Sequence, residues 1–318
     1  MTDPAFEALQ RFDSEYIPFP PFVTAKDAVE ANLRLFRETG LPSHLLVLGE
    51  SGVGKSSLCR WIAENHPRRT LPERDIIPAL VVAVPPTGTI GGIAGTMLAA
   101  LGDPTPNVGT TGHRTARIIT LCRQCRVELI LFDEAQHVHD RGQSKAHYMV
   151  ADWFKHIIDE INVPTVLLGL PRLEMLLQVN EQLRRRFSRR VRLALGQSET
   201  ESVESECLQL FMSLASCLEV GVSAEPYGWQ EMGMRLHYAC DGRVGYVKKI
   251  LAAALRRCLE DELQQIDVPL LERIFSEEIW QTGVSALNPF NAAFKFRRLD
   301  RGGEPFQQGQ LATGRASA

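Results

Sequence analysis

A phosphate-binding pattern lies near the start of the chain, where residues 49–56 read G-E-S-G-V-G-K-S and match GxxxxGK[ST]. Its three glycines allow the backbone to wrap tightly, so that N–H groups point at phosphate oxygens. A helix after the pattern would add the favourable dipole of its N-terminus for an anion. The pattern therefore predicts a site for the phosphates of a nucleotide. The predicted contacts come from Gly49, Glu50, Ser51, Gly52, Val53, Gly54, Lys55, Ser56 and Ser57.

Two of these side chains have separate roles in the predicted chemistry. Lys55 would reach the β- and γ-phosphates, and the Ser56 hydroxyl would bind Mg²⁺. An apolar run at 44–48 precedes the pattern and a helical pattern follows it, which is the context that such a site requires. A glycine-rich turn with an unrelated Lys-Ser pair is the alternative, and this context disfavours it.

A second pattern, L-I-L-F-D-E, occupies residues 129–134. Four apolar residues predict a buried strand, and the two acids follow at its C-terminal edge, where open α/β sheets bind ligands. Asp133 would hold Mg²⁺ through water, and Glu134 would act as general base on the attacking water. A strand that merely ends in two solvated acids is the alternative. The spacing of about 80 residues from the phosphate-binding pattern favours the nucleotide site.

Strand and helix patterns alternate around these motifs. Such alternation predicts an α/β fold with a five-stranded parallel sheet flanked by helices. The predicted strands are 44–48, 79–84, 127–132, 164–169 and 191–195. Beyond residue 197 only helical patterns follow, which predicts a smaller all-helical domain. The predicted boundaries are an extension at 1–24, the α/β domain at 25–196, the helical domain at 197–283 and a polar, flexible tail at 284–318.

The composition is that of an ordinary globular protein with a formal net charge of −3. Nucleic-acid contact would therefore have to come from local basic patches. The seven cysteines are odd in number and scattered, which predicts reduced thiols in a cytoplasmic protein. We expect the lone CxxC of Cys122 and Cys125 to pack in a helix, because a zinc site needs about four ligands. The sequence contains no secretion signal or long apolar run, so no membrane partner is expected.

With Asp133 and Glu134 in place, the sequence resembles the AAA+ ATPases. The segment D-E-A-Q-H at 133–137 resembles the corresponding segment of the TniB/TnsC family of transposition ATPases, and of related ExeA-like and MuB-like proteins. The segment Y-I-P-F-P-P-F at 16–22 is similar to the start of TniB proteins. The resemblance covers about residues 10–283. It implies that the α/β domain is an AAA+ core and that the helical domain is its lid.

The resemblance also implies a function, that of an ATP-binding, Mg²⁺-dependent ATPase that regulates DNA transposition. Proteins of this family oligomerise on double-stranded target DNA, as rings or helical filaments, with little sequence preference. They recruit or activate a partner DDE transposase, in some systems with a TniQ-like targeting protein, and ATP hydrolysis disassembles the oligomer. The expected location is the bacterial cytoplasm, on the nucleoid when the protein is bound to DNA.

An arginine finger is a further feature that the resemblance implies. In AAA+ proteins an arginine just before the fifth strand reaches the γ-phosphate in a neighbouring subunit, and residues 184–192 here contain six arginines. The candidates are Arg185, Arg186, Arg189 and Arg190. A basic face that is solvated, faces DNA or pairs with acids is the alternative.

Two other positions concern the same nucleotide. Arg243, within C-D-G-R-V-G-Y, resembles the sensor-2 arginine at the start of a lid helix, and the alternative is an exposed first-turn residue. Leu170 stands where related proteins often carry a polar sensor-1 residue. This departure predicts slow hydrolysis.

The resemblance places DNA in the central channel of the oligomer, where contacts to phosphates would dominate. The candidate contacts are His113, Arg114, Arg117, Arg141 and Lys145. Each has an ordinary surface charge as its alternative. The segment 288–299 interleaves aromatic and basic residues, and it would either dock on a transposase, a neighbouring subunit or DNA, or pack on the lid.

Three other functions compete with that of a transposition regulator. A different AAA+ switch acting on protein partners, ExeA-like or a signalling NTPase, would share the site, but an ExeA-like secretion protein would usually need a membrane segment. A non-catalytic scaffold with structural ATP would not need Glu134. A small-molecule kinase is disfavoured by the segment 133–137, by the arginine run and by the helical lid.

Overall fold

The computed structural model describes residues 4–14, 19–140, 144–196 and 201–307. It contains two compact units. One is an α/β unit at Pro20–Ala194, and the other is a helical unit formed by Met1–Phe19 and Leu195–Ala318. The first helix, α1 (Pro4–Ser14), belongs to the helical unit.

The α/β unit alternates helices and strands as the sequence predicts. In chain order its elements are α2 (Pro20–Thr39), β1 (Leu45–Leu48), α3 (Lys55–Asn65), β2 (Arg69–Thr70), β3 (Asp75–Ile76), β4 (Ala79–Ala83), α4 (Ile90–Ala100), α5 (Thr111–Gln124), β5 (Leu129–Asp133), α6 (His137–Asp140), α7 (Ser144–Ile161), β6 (Thr165–Gly169), α8 (Glu174–Val179), α9 (Glu181–Arg186) and β7 (Arg189–Arg192). The two-residue strands β2 and β3 form a separate antiparallel pair.

Five of these strands form one sheet in the order β4-β5-β6-β1-β7, and every neighbouring pair is parallel. The prediction of a five-stranded parallel sheet flanked by helices is therefore confirmed. Strands β1, β5 and β6 are buried along their whole length, as expected where helices cover both faces. Because the strands are parallel, their C-terminal ends share one edge, where Leu48 pairs with Gly169 and Ala83 pairs with Asp133.

Two elements of the α/β unit begin earlier than the sequence predicts. Helix α2 starts at Pro20, before residue 25, where we predicted the α/β domain to begin. Pro20 and Pro21 occupy its first turn, where a missing N–H removes no intrahelical hydrogen bond. Strand β7 starts at Arg189 rather than at 191, and its arginines are exposed because it is an edge strand paired only with β1.

The helical unit contains the helices that the sequence predicts beyond residue 197. They are α10 (Val203–Ala215), α11 (Gly228–Cys240), α12 (Val244–Glu260) and α13 (Val268–Ile274), followed by a π-helical turn at Phe275–Ile279. Two short strands, β8 (Gly221–Val222) and β9 (Gln265–Ile266), pair in parallel between them. Helix α1 packs on α12, with the Lys248 ammonium 5.8 Å from the centre of the Phe12 ring. Across the described ranges, no helix is long and apolar enough to cross a membrane.

The segment 288–306, here termed the C-terminal strap, differs from the flexible tail that we expected at 284–318. Although the segment is largely polar, four of its apolar side chains are buried within the helical unit. They are Phe290, Phe294, Leu299 and Phe306. The residues from 308 onward lie outside the described part of the chain. Of the two alternatives for the segment 288–299, docking on a partner or packing on the lid, the structure shows packing within the helical unit.

A buried arginine of helix α11 holds the start of the strap. Arg235 is only 2% exposed, and it donates hydrogen bonds to the carbonyl oxygens of Pro289 and Asn291 at 2.6 and 2.8 Å. It also donates two hydrogen bonds to Glu231 Oε1 and stacks over the Tyr227 ring, 3.7 Å from its centre. The guanidinium group thus satisfies the Pro289 carbonyl and adds a second hydrogen bond to the Asn291 carbonyl, which also accepts one from the Phe294 N–H.

We expect Arg235→Ala to release the strap, because it removes the donor to the Pro289 carbonyl, one of the two donors to the Asn291 carbonyl, and the partner of Glu231. Leaving the buried Pro289 carbonyl without its donor should cost about 1–3 kcal/mol of the free energy of unfolding, while Glu231 stays partly hydrated. Trypsin should then cut at Lys295 and Arg297 much faster than in the wild type. The control is Arg256→Ala, which removes an exposed pair with Glu278 and should leave the cleavage rate unchanged. Equal strap cleavage in both variants would contradict the role of Arg235.

Candidate nucleotide-binding site

The loop after β1 has the backbone that phosphate binding requires. Gly54, directly before α3, has a φ of +98°, in the left-handed region that favours glycine. A Cβ atom added to Gly49 would lie 2.5 Å from the carbonyl oxygen of Leu193, so only glycine fits there. Helix α3 begins at Lys55, and its free N–H groups therefore face the loop 49–54.

Lys55 is positioned inside this loop rather than in solvent. It is 5% exposed, and its Nζ donates hydrogen bonds to the carbonyl oxygens of Gly49 and Glu50, both at 2.8 Å. Burial lowers the pKa of Lys55, while the negative charges of Glu134, Asp133 and Glu50 act in the opposite direction. An ammonium group held by neutral carbonyls next to carboxylates is suited to bind an anionic phosphate oxygen.

The residues predicted to bind Mg²⁺ lie in contact with each other. The Ser56 hydroxyl donates a hydrogen bond of 2.6 Å to Asp133 Oδ2, although the two residues are far apart in the chain. Asp133 is buried at the end of β5. A hydroxyl and a carboxylate are the oxygen donors that Mg²⁺ prefers, and Lys55 lies beside them on the same sheet edge. The arrangement fits a magnesium ion held by Ser56 and, through water, by Asp133.

Glu134 leaves the strand in an unusual backbone conformation. Its φ of 55° lies in the left-handed region, which is rare for a residue other than glycine and costs roughly 1–3 kcal/mol. Its N–H donates to Asp133 Oδ1 at 2.9 Å, and the side chain is 42% exposed. This turn separates the two acids, so that Asp133 faces Ser56 while the Glu134 carboxylate stays open to water.

Gln136 is a buried polar residue that reasoning from spacing did not single out. Its side-chain amide joins the Glu134 carboxylate to the backbone N–H of Leu170 at the end of β6. The only sequence signal for it is its place in the segment 133–137. Leu170, at the expected sensor-1 position, contributes to this contact through its backbone alone.

All four arginine-finger candidates have partners within the α/β unit. Arg185 is 78% exposed and pairs with Glu181 at 2.7 Å, one helical turn earlier in α9. The other three bind more distant residues. Arg186 binds both carboxylate oxygens of Asp159, Arg189 donates to Asn32 Oδ1, and Arg190 pairs with Glu174. Arg189 and Arg190 lie within β7 rather than before it, which favours Arg185 and Arg186 of α9 as finger candidates. An arginine finger in this run stays a prediction.

Arg243 belongs to the helical unit and lies at the start of α12. It pairs with Asp241 at 3.2 Å and has the rings of Tyr246 and Phe306 within 6 Å, at 5.9 and 5.8 Å. Asp241 also accepts two hydrogen bonds from Arg298 of the C-terminal strap. The predicted contact of Arg243 with a nucleotide stays a prediction.

The residues predicted to contact DNA differ in whether their side chains already bind other groups of the protein. His113 is exposed at the start of α5. Arg114 donates to the Gly91 carbonyl oxygen at 2.9 Å, and Arg117 binds Asp103 and two carbonyls of the loop 103–110. Arg141 lies outside the described residues, and Lys145 lies in α7 with its side chain outside the description. Contact of these residues with DNA stays a prediction.

The sheet order, the phosphate-binding loop and the acids at the end of β5 define an AAA+ type of nucleotide-binding fold. Solved structures support this class. The chain is similar to Cdc6p from Pyrobaculum aerophilum, with a TM-score of 0.63, 14% identity, and coverage of 87% of this chain and 72% of that one.

Two proteins from Aeropyrum pernix have the same fold. The structure of ORC1 in complex with DNA gives a TM-score of 0.64 and 14% identity over 85% of this chain and 69% of that chain. The ORC2 protein in ADPNP-ADP complexes gives a TM-score of 0.60 and 13% identity over 84% and 71%. The comparison with curated proteins finds no match.

The sequence itself identifies the family within this class. The model of the family described as bacterial TniB protein matches residues 12–194, which is more than half of the chain. The chain belongs to the TniB family.

We expect Ser56→Ala to lower the affinity for Mg²⁺, because it removes one of the two oxygen ligands predicted above, the Ser56 hydroxyl and the Asp133 carboxylate. The Mg²⁺ concentration that half-saturates ATP turnover should rise about tenfold or more, in line with roughly 1.5–3 kcal/mol for a hydrogen bond or ligand contact to a charged group. Ser57→Ala is the matched control, since its predicted phosphate contact would use only the backbone. An unchanged Mg²⁺ requirement in Ser56→Ala would contradict the assignment.

Proposed function

We propose that this TniB-family chain hydrolyses ATP with Mg²⁺ and acts as an ATP-dependent regulator of DNA transposition. The observation that carries the proposal is that Lys55, the Ser56–Asp133 pair and Glu134 converge at one edge of the sheet. A phosphate cradle, a cation site and an open carboxylate are the three components that nucleotide hydrolysis needs.

Each component has a defined task in hydrolysis. The loop N–H groups and Lys55 would bind the β- and γ-phosphates. Ser56 and Asp133 would hold Mg²⁺, which would supply positive charge next to the phosphate oxygens. The Glu134 carboxylate accepts a proton from a water molecule while the oxygen of that water forms a bond to the γ-phosphorus. The bond from that phosphorus to the bridging oxygen then breaks, and ADP and phosphate leave.

DNA binding is proposed for the assembled form. One structural neighbour, ORC1 from Aeropyrum pernix, has been solved in complex with DNA, which supports a DNA-related use of this fold. The net charge of −3 requires that DNA contacts come from local basic surfaces. Such contacts are made mainly to phosphates, so binding should depend little on sequence and fall steeply with salt.

Assembly and hydrolysis are coupled in this proposal through an arginine that one subunit supplies to the next. Arg185 is the first candidate because it is highly exposed and its partner Glu181 lies on the same helix. Such an exposed pair contributes only about 0.3–0.5 kcal/mol, so the arginine can exchange its partner for a phosphate at little cost. Removal of the γ-phosphate by hydrolysis would weaken the subunit contact and disassemble the oligomer.

The proposed partners and location follow from the TniB family. The ATP-bound oligomer would recruit or activate a DDE transposase, together with a TniQ-like targeting protein in some systems. We place the protein in the bacterial cytoplasm, on the nucleoid when it is bound to DNA.

Glu134→Gln should retain ATP binding and lose turnover by roughly 100-fold or more, because an amide cannot accept the proton from water. The variant should remain on DNA as a long-lived oligomer. The control is Glu128→Gln, at the opposite end of β5, where the carboxylate pairs with Arg37 and faces no phosphate. Turnover at the wild-type rate in Glu134→Gln would exclude this residue as the base.

A mixing experiment tests whether the arginine acts between subunits. Arg185→Ala and Glu134→Gln should each be inactive alone. In an equal mixture, half of the subunits keep Glu134, and half of their neighbours keep Arg185, so about a quarter of wild-type turnover should return. Mixtures that remain inactive, with both variants still able to assemble, would argue against Arg185 as a finger.

A further inference from the structure

Gln136 is almost fully buried, with 1% of its surface exposed, and both the nitrogen and the oxygen of its side-chain amide have hydrogen-bond partners. Its Nε2 donates a hydrogen bond to Glu134 Oε2, and its Oε1 accepts one from the Leu170 N–H at 3.1 Å. A flipped amide would place oxygen against the carboxylate and NH₂ against an N–H group. The two partners therefore fix the orientation of the amide.

The backbone around Gln136 leaves space for this amide and little else. A Cβ atom added to Gly169 would lie 2.7 Å from Gln136 Oε1, so the glycine at the end of β6 admits the side chain. The N–H of Ala135 donates to the Leu168 carbonyl oxygen at 2.9 Å, which holds the chain before Gln136 against the same strand. The amide is thus positioned from two sides.

The same peptide group also contacts the phosphate-binding loop. The N–H of Leu170 and the carbonyl of Gly169 belong to one peptide unit, and that carbonyl accepts a hydrogen bond from the Gly49 N–H at 3.0 Å. Gly49 is in turn bound through its own carbonyl by Lys55. A continuous series of hydrogen bonds therefore runs from Lys55 through Gly49, the Gly169–Leu170 peptide and Gln136 to Glu134.

We propose that Gln136 is a positioning residue for the Glu134 carboxylate, and that it supplies the polar link to β6 that the Leu170 side chain cannot make. This inference rests on the proposed ATPase function. Donation to Oε2 restrains one carboxylate oxygen and leaves Oε1 to accept a proton from water. The amide also connects the base to the phosphate-binding loop, so the two are held at a fixed separation during turnover.

The test measures kcat and KM for ATP in Gln136→Met, which keeps the length of the side chain and removes both hydrogen bonds. We expect kcat to fall roughly 10- to 100-fold, as for a misplaced catalytic group, with KM changed by less than about threefold. Gln178→Met, the same substitution on the exposed side of α8, is the control and should behave as the wild type.

A double variant separates positioning from a general loss of structure. If Gln136 acts through Glu134, then Gln136→Met combined with Glu134→Gln should be no slower than Glu134→Gln alone. Should Gln136→Met fail to fold, Gln136→Glu provides the second variant, because it keeps the acceptor for Leu170 and replaces the donor by a carboxylate that repels Glu134. It should lose turnover at least as strongly.

The outcomes distinguish this inference from the proposed function. Loss of turnover in Glu134→Gln together with a wild-type kcat in Gln136→Met or Gln136→Glu would overturn the role of Gln136 alone. Multiplicative losses in the double variant would do the same. Wild-type turnover in Glu134→Gln would instead remove the proposed function on which the inference rests.

Discussion

The peptide group between Gly169 and Leu170 joins the two halves of the nucleotide site. Its carbonyl binds the phosphate-binding loop at Gly49, and its N–H binds Gln136, which holds Glu134. This double contact is possible because β6 lies between β1 and β5 in the sheet. The strand order therefore sets the separation between the phosphate cradle and the base. The remaining side chains of the site, Lys55 and Asp133 among them, are placed by the same three strand ends.

The residues that the sequence reveals are those whose type and spacing are dictated by local chemistry. Gly54 needs a positive φ, Lys55 follows it on the first turn of a helix, and Asp133 ends a continuous apolar run, so both motifs and the parallel sheet could be predicted. Gln136 could not be found in this way, because its contact with Leu170 spans 34 positions and requires β6 to lie beside β5. Leu170 drew attention as a missing polar side chain, whereas the structure uses its backbone.

Buried charge is the second feature that periodicity conceals. Arg235 is a charged residue of helix α11, yet it is buried among carbonyls of the C-terminal strap and the rings of Tyr227 and Phe296. In the arginine run the same residue type spans a range of environments. Arg186 makes a bidentate pair with Asp159, which is among the stronger ion-pair geometries, whereas Arg185 has a single exposed partner. Only an exposed single pair such as that of Arg185 can be replaced by a contact with a neighbouring subunit at small energetic cost.

We propose that ATP binding at this site assembles the protein on DNA. Electron microscopy of the purified protein with double-stranded DNA, with and without a slowly hydrolysed ATP analogue, tests it most directly. We expect rings or filaments on DNA only when the nucleotide is present, and we expect Lys55→Ala to form none. A protein that binds the nucleotide through Lys55 yet forms no assembly on DNA would contradict the coupling of ATP binding to assembly, and would favour an AAA+ switch that acts on protein partners.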